Sequence, residues 1–233
     1  MIETEAPLSQ TQVVVQGIKQ MIVEGSLGPG ARLPIEKELA TALGVSRGSL
    51  REGVRALVTL GVLDTRQGAG TYVTSLDASL LTAPVSFIVD LQSADSALDL
   101  HVVRRTLETQ AASLSAARVD GESIASIEAA LEDMRKAADE ADHEAMLDAD
   151  MRFHRAIAVG SGNPVLAALI ESLTALTVRD RLWRAIVDDR AEQTTIAEHA
   201  AILRALRDRS PERAAMRMAN HLLQVEEFLA ASA

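Results

Sequence analysis

A single β-prone stretch in an otherwise helical chain is the strongest constraint on how these 233 residues fold. Residues 62–65 (Val-Leu-Asp-Thr) and 70–73 (Gly-Thr-Tyr-Val) flank the turn-like run Arg66-Gln67-Gly68-Ala69, which reads as a small β-hairpin. Everything before it reads as three helices. Over residues 8–25, Val14, Ile18, Met21 and Ile22 recur at spacings of three and four, until Gly25, Gly28, Pro29 and Gly30 break the pattern. A short helix over about 35–43 carries Leu39, Ala40 and Leu43 and ends at Gly44, where a terminating glycine belongs. Ser46 is a good N-cap for a third helix over about 47–60, with Leu50, Val54 and Leu57 on one stripe, and Gly61 stops it. Three helices followed by a hairpin outline a winged helix-turn-helix over residues 8–75.

After a linker at 76–82, residues 83–231 read as an all-α bundle of six or seven helices. Helices are expected near 80–92, 95–118, 121–140, 142–160, 164–187, 190–208 and 211–231. Gly121, the run Gly160-Ser161-Gly162-Asn163-Pro164 and the pair Ser210-Pro211 supply the breaks, with Pro211 at a first helical position. The fold class is therefore mainly α. Aromatic residues are only 2 % of the chain, which favours tightly packed helices over a β-sandwich. The absence of cysteine excludes disulfides and thiolate metal sites and suits a cytoplasmic protein. The acidic, polar start of the chain is not a signal peptide, and no apolar run approaches the ~20 residues of a membrane helix.

The formal charge of −10 speaks at first against nucleic acid, but its distribution removes the objection. Residues 1–76 carry seven basic and seven acidic side chains, so the whole deficit lies in the remainder. A neutral N-terminal half can bind DNA if its few cations share a face, while the acidic half would be repelled by a duplex. Arg47, Arg51 and Arg55 stand at i, i+4 and i+8 on the third helix, on a different stripe from its apolar residues. The planar fork of arginine can grip guanine bidentately or clamp phosphate, and Ser46 and Ser49 can add phosphate contacts at the helix N-terminus. On its own, such a stripe equally fits a solvated helix face.

Asp150 and His154, at i and i+4, share one face of their helix, while His199 lies on the penultimate helix and His221 on the last. One carboxylate and three imidazoles inside a bundle would suit a divalent metal: zinc first, with nickel or manganese as alternatives. Spacing alone also fits a surface pair at Asp150 and His154, with capping or core roles for the other two. His143, between Asp142 and Glu144, reads as solvated, and His101 has no evident role.

The run Gly28-Pro29-Gly30-Ala31-Arg32-Leu33-Pro34, then Glu36, Glu38-Leu39-Ala40, Leu43-Gly44-Val45-Ser46-Arg47, Leu50-Arg51-Glu52, Gly61 and Gly68-Ala69-Gly70-Thr71-Tyr72-Val73 resembles the GntR family of bacterial regulators. That resemblance implies operator contacts at Arg47 and Arg51, at Lys37 as in some members, and at a wing tip of Gln67 and Gly68 entering the minor groove. Arg32, Ser46 and Ser49 complete the expected DNA-facing set. Gly53 stands where the family usually has alanine, an expected weakness of about 1 kcal/mol in the recognition helix.

Residues 98–228 resemble the FCD domain of the FadR-type branch, through Arg104-Arg105-Thr106-Leu107-Glu108, Asp150-Met151-Arg152-Phe153-His154, Gly162-Asn163-Pro164, Glu198-His199-Ala200-Ala201-Ile202 and Met218-Ala219-Asn220-His221-Leu222. The resemblance implies that Asp150, His154, His199 and His221 ligate a metal. It also implies that Arg104 points into the same pocket toward an anionic ligand, with Asn163 a second pocket candidate. The expected function is a ligand-responsive transcriptional regulator, a repressor, controlled by a small carboxylate bound at the metal. As a homodimer it would address an inverted repeat in double-stranded operator DNA. The rivals are a metal-dependent hydrolase, for which no general base is evident, and a regulator whose metal is purely structural.

Overall fold

The computed structural model describes residues 8–76, 80, 84, 87, 96–187 and 191–232. The chain divides into two compact units, Met1–Leu80 and Leu81–Ala233. In the first, α1 (Gln10–Val23) opens on a capping box: Ser9 Oγ accepts from Gln12 N at 3.2 Å and Gln12 Oε1 accepts from Ser9 N at 2.8 Å. Helix α2 (Glu36–Leu43) stops at Gly44, whose φ of +65° suits a residue without Cβ. Helix α3 (Arg47–Thr59) is capped by Ser46, which accepts from Ser49 N at 3.1 Å. Strands β1 (Leu63–Arg66) and β2 (Gly70–Val73) pair antiparallel, Leu63 opposite Val73 and Arg66 opposite Gly70.

The hairpin thus begins one residue later than the sequence suggests. The stretch before α2, expected only as a breaker, lies along β2 as a further edge. Gly30 N and Leu33 N donate to Val73 O and Thr71 O at 2.9 and 2.8 Å, and Arg32 bridges Tyr72. Val14, Ile18, Leu39, Leu50, Leu57 and Leu63 close the core of this unit.

Gly53 corrects the expectation attached to it. It is buried on the face of α3 that meets α1. A Cβ there would stand 2.4 Å from Val14 Cγ1, 2.6 Å from Val14 Cβ and 3.3 Å from Thr11 O. Glycine at this position is what lets the two backbones approach. We expect Gly53→Ala to destabilise this domain by about 1–3 kcal/mol through overpacking, where helix propensity alone predicts a gain of about 1 kcal/mol. A urea melt of the variant decides the sign.

The second unit contains, among the described residues, α4 (Ser96–Arg118), α5 (Gly121–Asp139), α6 (His143–Gly160), α7 (Pro164–Leu176), α8 (Val178–Val187), α9 (Ala191–Arg207) and α10 (Pro211–Ser232). Helix α10 runs along α4, α6 packs on α5 and α4, and α9 closes against α10 and α5. Met134, Phe153, Ile157, Ile202, Leu206 and Met218 fill the centre. The single helix expected over 164–187 breaks at buried Thr177. Its Oγ1 donates within the preceding turn, with Leu173 O at 3.3 Å and Thr174 O at 3.1 Å as acceptors, an arrangement that bends helices. The helix expected over 80–92 and most of the linker at 76–82 fall outside the described residues. Among the described residues no helix is long and apolar enough to cross a membrane.

Candidate metal centre and nucleic-acid face

Asp150 and His154 come from successive turns of α6, His199 from α9 and His221 from α10, and all four are buried. One donor atom from each lies within 4.8 Å of the other three. His199 Nε2 stands 3.3 Å from His154 Nε2 and 3.2 Å from His221 Nε2. Asp150 Oδ1 is 3.6 Å from His154 Nε2 and 3.5 Å from His199 Nε2. Donors held at about 2.1 Å from one ion stand roughly 3.0 Å apart at right angles and 3.4 Å apart at the tetrahedral angle. The two imidazole–imidazole edges fall within that range, and the two carboxylate edges lie 0.1–0.2 Å beyond it.

The rings are aimed from behind. His154 Nδ1 meets Glu108 Oε2, and His221 Nδ1 meets Glu198 Oε2 at 2.8 Å. A proton held at Nδ1 by a carboxylate leaves the Nε2 lone pair facing inward, the tautomer that metal ligation needs. His199 has Met134 Sδ 3.2 Å behind its Nδ1 and stacks on Phe153 with centroids 4.3 Å apart.

The electrostatics keep both carboxylates ionised and two of the three imidazoles neutral. Burial opposes ionisation of Asp150, yet Arg181 and the neighbouring imidazoles hold its carboxyl well below the usual range. Burial opposes it at Glu108 too, but Arg104 and His154 bring that group down to about 2. His199 is driven well below its ordinary value by burial and by His221, and His221 falls to about 3 by burial and by His154. Both rings are therefore neutral near pH 7, each with one nitrogen free of a proton. His154 goes the other way: burial disfavours its charge, but Glu108 and Asp150 outweigh that and raise its pKa. The two carboxylates stabilise a cation here, and four inward donors without thiolate suit a divalent metal.

A cavity of about 60 Å³ adjoins the cluster, with Asp150, His221, Arg104, Arg181 and Arg184 in its wall. Arg104 is fully buried. Its Nε donates to Glu108 Oε1 and its Nη1 to Thr177 Oγ1 at 3.4 Å, while Nη2 has no partner among the described residues. Arg181 binds the far oxygen of Asp150, leaving Oδ1 to face the histidines. Neither Glu108, Glu198, Arg181 nor Arg184 was singled out from the sequence.

Two expectations change. Asn163 does not line this cavity. It caps α7, its Oδ1 accepting from Val165 N at 3.2 Å and Leu166 N at 3.1 Å. His143 is not simply solvated, since its Nδ1 lies 2.6 Å from Glu192 Oε1 and the ring borders the cavity. His101 is buried beside Asp180 Oδ2 at 3.4 Å.

In the other unit, Arg47, Arg51 and Arg55 are all exposed on α3, as are Lys37 on α2 and Gln67 and Gly68 at the wing tip, where Gly68 has φ +74°. Arg51 docks its fork on Glu36, with Nε 3.0 Å from Oε1 and Nη2 2.9 Å from Oε2. Arg55 pairs with Glu52 at 3.0 Å. Ser46 and Ser49 form a hydroxyl pair at 2.9 Å, and Ser49 Oγ donates to Gln10 Oε1 at 3.1 Å. The Arg32 guanidinium crosses the hairpin at Gly70, where a Cβ would stand 2.7 Å from Nε. All of this face is solvent-accessible and held together only by exposed pairs, which an anionic strand can displace.

Residues 10–73 match the family described as bacterial regulatory proteins, gntR family, and residues 99–224 match the FCD domain. The chain is 32% identical over 214 residues to the HTH-type transcriptional regulator LutR of Bacillus subtilis (strain 168), covering 90% of this chain and 96% of that protein. It is 30% identical over 222 residues to the galactonate operon transcriptional repressor of Escherichia coli (strain K12), covering 91% of this chain and 94% of the relative. The solved structure of Streptococcus agalactiae GntR superposes with a TM-score of 0.78 at 27% identity, over 93% of this chain and 99% of that one. These relatives are regulators, not enzymes, which removes the hydrolase rival. With both halves matched in order along its length, this chain belongs to the gntR family of bacterial regulatory proteins, as a DNA-binding transcriptional regulator whose winged helix-turn-helix is followed by an FCD domain.

Proposed function

We propose that this regulator is an operator-binding repressor that a small carboxylate releases through a metal centre in its FCD domain. The observation that carries this reading is Arg104: fully buried, bordering the cavity beside the Asp150–His154–His199–His221 cluster, with Nη2 unpaired. A buried donor without a partner is unfavourable by about 1–3 kcal/mol, and a ligand oxygen relieves it. Zinc is the first choice of metal for one carboxylate and three imidazoles, with nickel and manganese as alternatives. Such an ion would neutralise the converging donors and offer its remaining coordination positions to an acid. Glu108 and Glu198 keep the rings oriented, Arg181 holds Asp150, and Arg104 supplies the ligand's counter-charge.

On the DNA side, Arg47 and Arg51 read bases or clamp phosphate from α3. Lys37, Ser46 and Ser49 bind the backbone near the helix N-termini, and Arg32, Gln67 and Gly68 serve the wing. Two chains on an inverted repeat follow from the one recognition helix each carries. Relief of repression is favoured by the galactonate operon relative, a repressor whose operon is named for a hydroxy-acid.

Arg104→Lys tests the reading, because it keeps a cation against Glu108 but loses the fork. In metal-loaded protein we expect acid affinity, read by calorimetry over a panel of short hydroxy-acids, to fall at least about tenfold, since a charged hydrogen bond is worth ~1.5–3 kcal/mol. Metal content and operator affinity should hold. Undiminished acid binding would remove Arg104 from the ligand site and leave the regulator assignment untouched.

A further inference from the structure

The cavity offers an anionic ligand more than one place to bind. Three arginines border it. The first, Arg104, is countered by Glu108, and the second, Arg181, by Asp150. The imidazole at the rim, His143, has Glu192. The third arginine, Arg184, is 7% exposed and has no ion pair among the described residues. Its Nε is buried without a hydrogen-bond partner, and its guanidinium lies 6.0 Å from the Phe228 ring centroid, a contact that offers no anion. The charge of Arg184 is felt by Glu198, whose Oε2 is engaged with His221 Nδ1. A buried N–H without an acceptor is unfavourable, and a ligand oxygen at Arg184 relieves it.

Position tells what can bring that oxygen. Arg184 and Arg181 lie at i and i+3 on one face of α8, so Arg184 borders the same cavity one turn beyond the Asp150–Arg181 pair, while Arg104 reaches it from α4. The break at Thr177 is what lets this face of α8 differ from that of α7, and Thr177 itself touches Arg104. Three buried guanidiniums with uncommitted N–H groups among the described residues, Arg104 on α4 and Arg181 and Arg184 on α8, border one cavity, and Arg184 alone of them has no ion pair there.

We propose that the acid is two-ended: a short dicarboxylate, with one carboxylate at Arg104 and the cluster and the other at Arg184. This rests on the effector reading above and narrows it to a chemical class. A cavity of about 60 Å³ before any side chain moves keeps the chain between the carboxylates short and excludes an acyl tail. A monoacid of the same length fills the same space and leaves Arg184 unpaired. A site built to bond a charged group rejects the analogue that lacks it far more strongly than it rejects a change of size.

The test uses matched acids on the metal-loaded, full-length protein: succinate against butyrate, and malate against 3-hydroxybutyrate, with affinities from calorimetry. Each diacid should bind at least roughly tenfold tighter than its monoacid partner. In Arg184→Gln that preference should fall to within about threefold while monoacid affinity and metal content stay as in the parent, and Arg184→Lys should restore part of it. Equal binding of monoacid and diacid by the parent overturns the inference and leaves the effector reading standing. Equal losses for both acids in Arg184→Gln make Arg184 a structural residue and overturn it too. If none of the four acids binds, the effector reading fails with it.

Discussion

Replacing both Arg47 and Arg51 by alanine should abolish specific operator binding while leaving the fold and the metal centre intact. Both side chains are exposed on α3, and neither supports the core formed by Leu50 and Leu57 on the opposite stripe. A bidentate arginine–guanine contact carries ~1–3 kcal/mol of discrimination, so losing two lowers affinity for the cognate site by roughly thirtyfold to more than ten-thousandfold. Loss of two cations also flattens the dependence on salt. The Arg51 component has a particular cause. In the free protein its fork rests on Glu36, and DNA must take it over or use the N–H groups that Glu36 leaves free. Alanine at 51 removes either option. Binding by fluorescence anisotropy at physiological salt, with a scrambled duplex as control, reads the result. Parent-like affinity with parent-like preference would show that α3 is not the reading helix.

The arginine stripe was legible because its information is local. Three side chains at i, i+4 and i+8 on a capped helix need no knowledge of the rest of the fold. The same holds for the Ser9 and Ser46 caps, the Gly44 stop and the hairpin, all written within a few residues of where they act. What escaped depends on partners distant in sequence. Gly53 looks like a weakness within α3 and is a requirement of α1, because only Val14 and Thr11 reveal how near the backbones come. The strand-like path of residues 30–33 has no alternating pattern of its own and exists because β2 offers it an edge. Thr177 sits in an apolar run that continues the helical period, and only its burial turns the hydroxyl back onto the preceding turn.

The candidate metal centre divides the same way. Asp150 with His154 is a spacing within one helix, whereas bringing His199 and His221 to it needs three helices packed together. The residues that orient the rings left fainter traces. Arg104 and Glu108 stand at i and i+4, a spacing that signals an ion pair on any helix, and nothing local says that the pair is buried against His154. Glu198 precedes one member of the cluster in sequence yet pairs with another, His221 on α10. Arg181 and Arg184 lie in a charged stretch that reads as solvated surface, and they became visible only once α8 turned them toward the cavity. The Gly162-Asn163-Pro164 run misled in the opposite sense. A helix cap and a pocket residue look alike in sequence, and the two amides that Asn163 accepts from show it to be a cap.

His199→Ala should make the FCD domain indifferent to chelation. In the parent, His199 Nε2 stands at the middle of the cluster, near both other imidazoles and Asp150. Removing that nitrogen leaves three donors with no atom between them. Loss of a residue behind a ligand typically weakens metal affinity 10- to 100-fold, so loss of a ligand itself should exceed about a hundredfold. At metal concentrations near a hundred times the parent Kd, bound metal contributes about 2.7 kcal/mol of stability, against at most about 0.4 kcal/mol for a site weakened a hundredfold. For a domain of this size the parent's gain is roughly 5–11 °C in the melting temperature. Parent protein should therefore lose that much on chelation and recover it with zinc. His199→Ala should melt at one temperature with or without metal, and below chelated parent, because the ring stacked on Phe153 is also gone. His199→Phe separates the two effects, restoring the stack without the nitrogen. Its melting should also ignore metal, and metal analysis after preparation without nickel resin should find well under one ion per chain in both variants. A parent-like metal content in either variant would take His199 out of the ligand set. A parent melt unmoved by chelation would mean that the four residues form a hydrogen-bonded network, with Glu108, Asp150 and the proton on His154 supplying the charge balance.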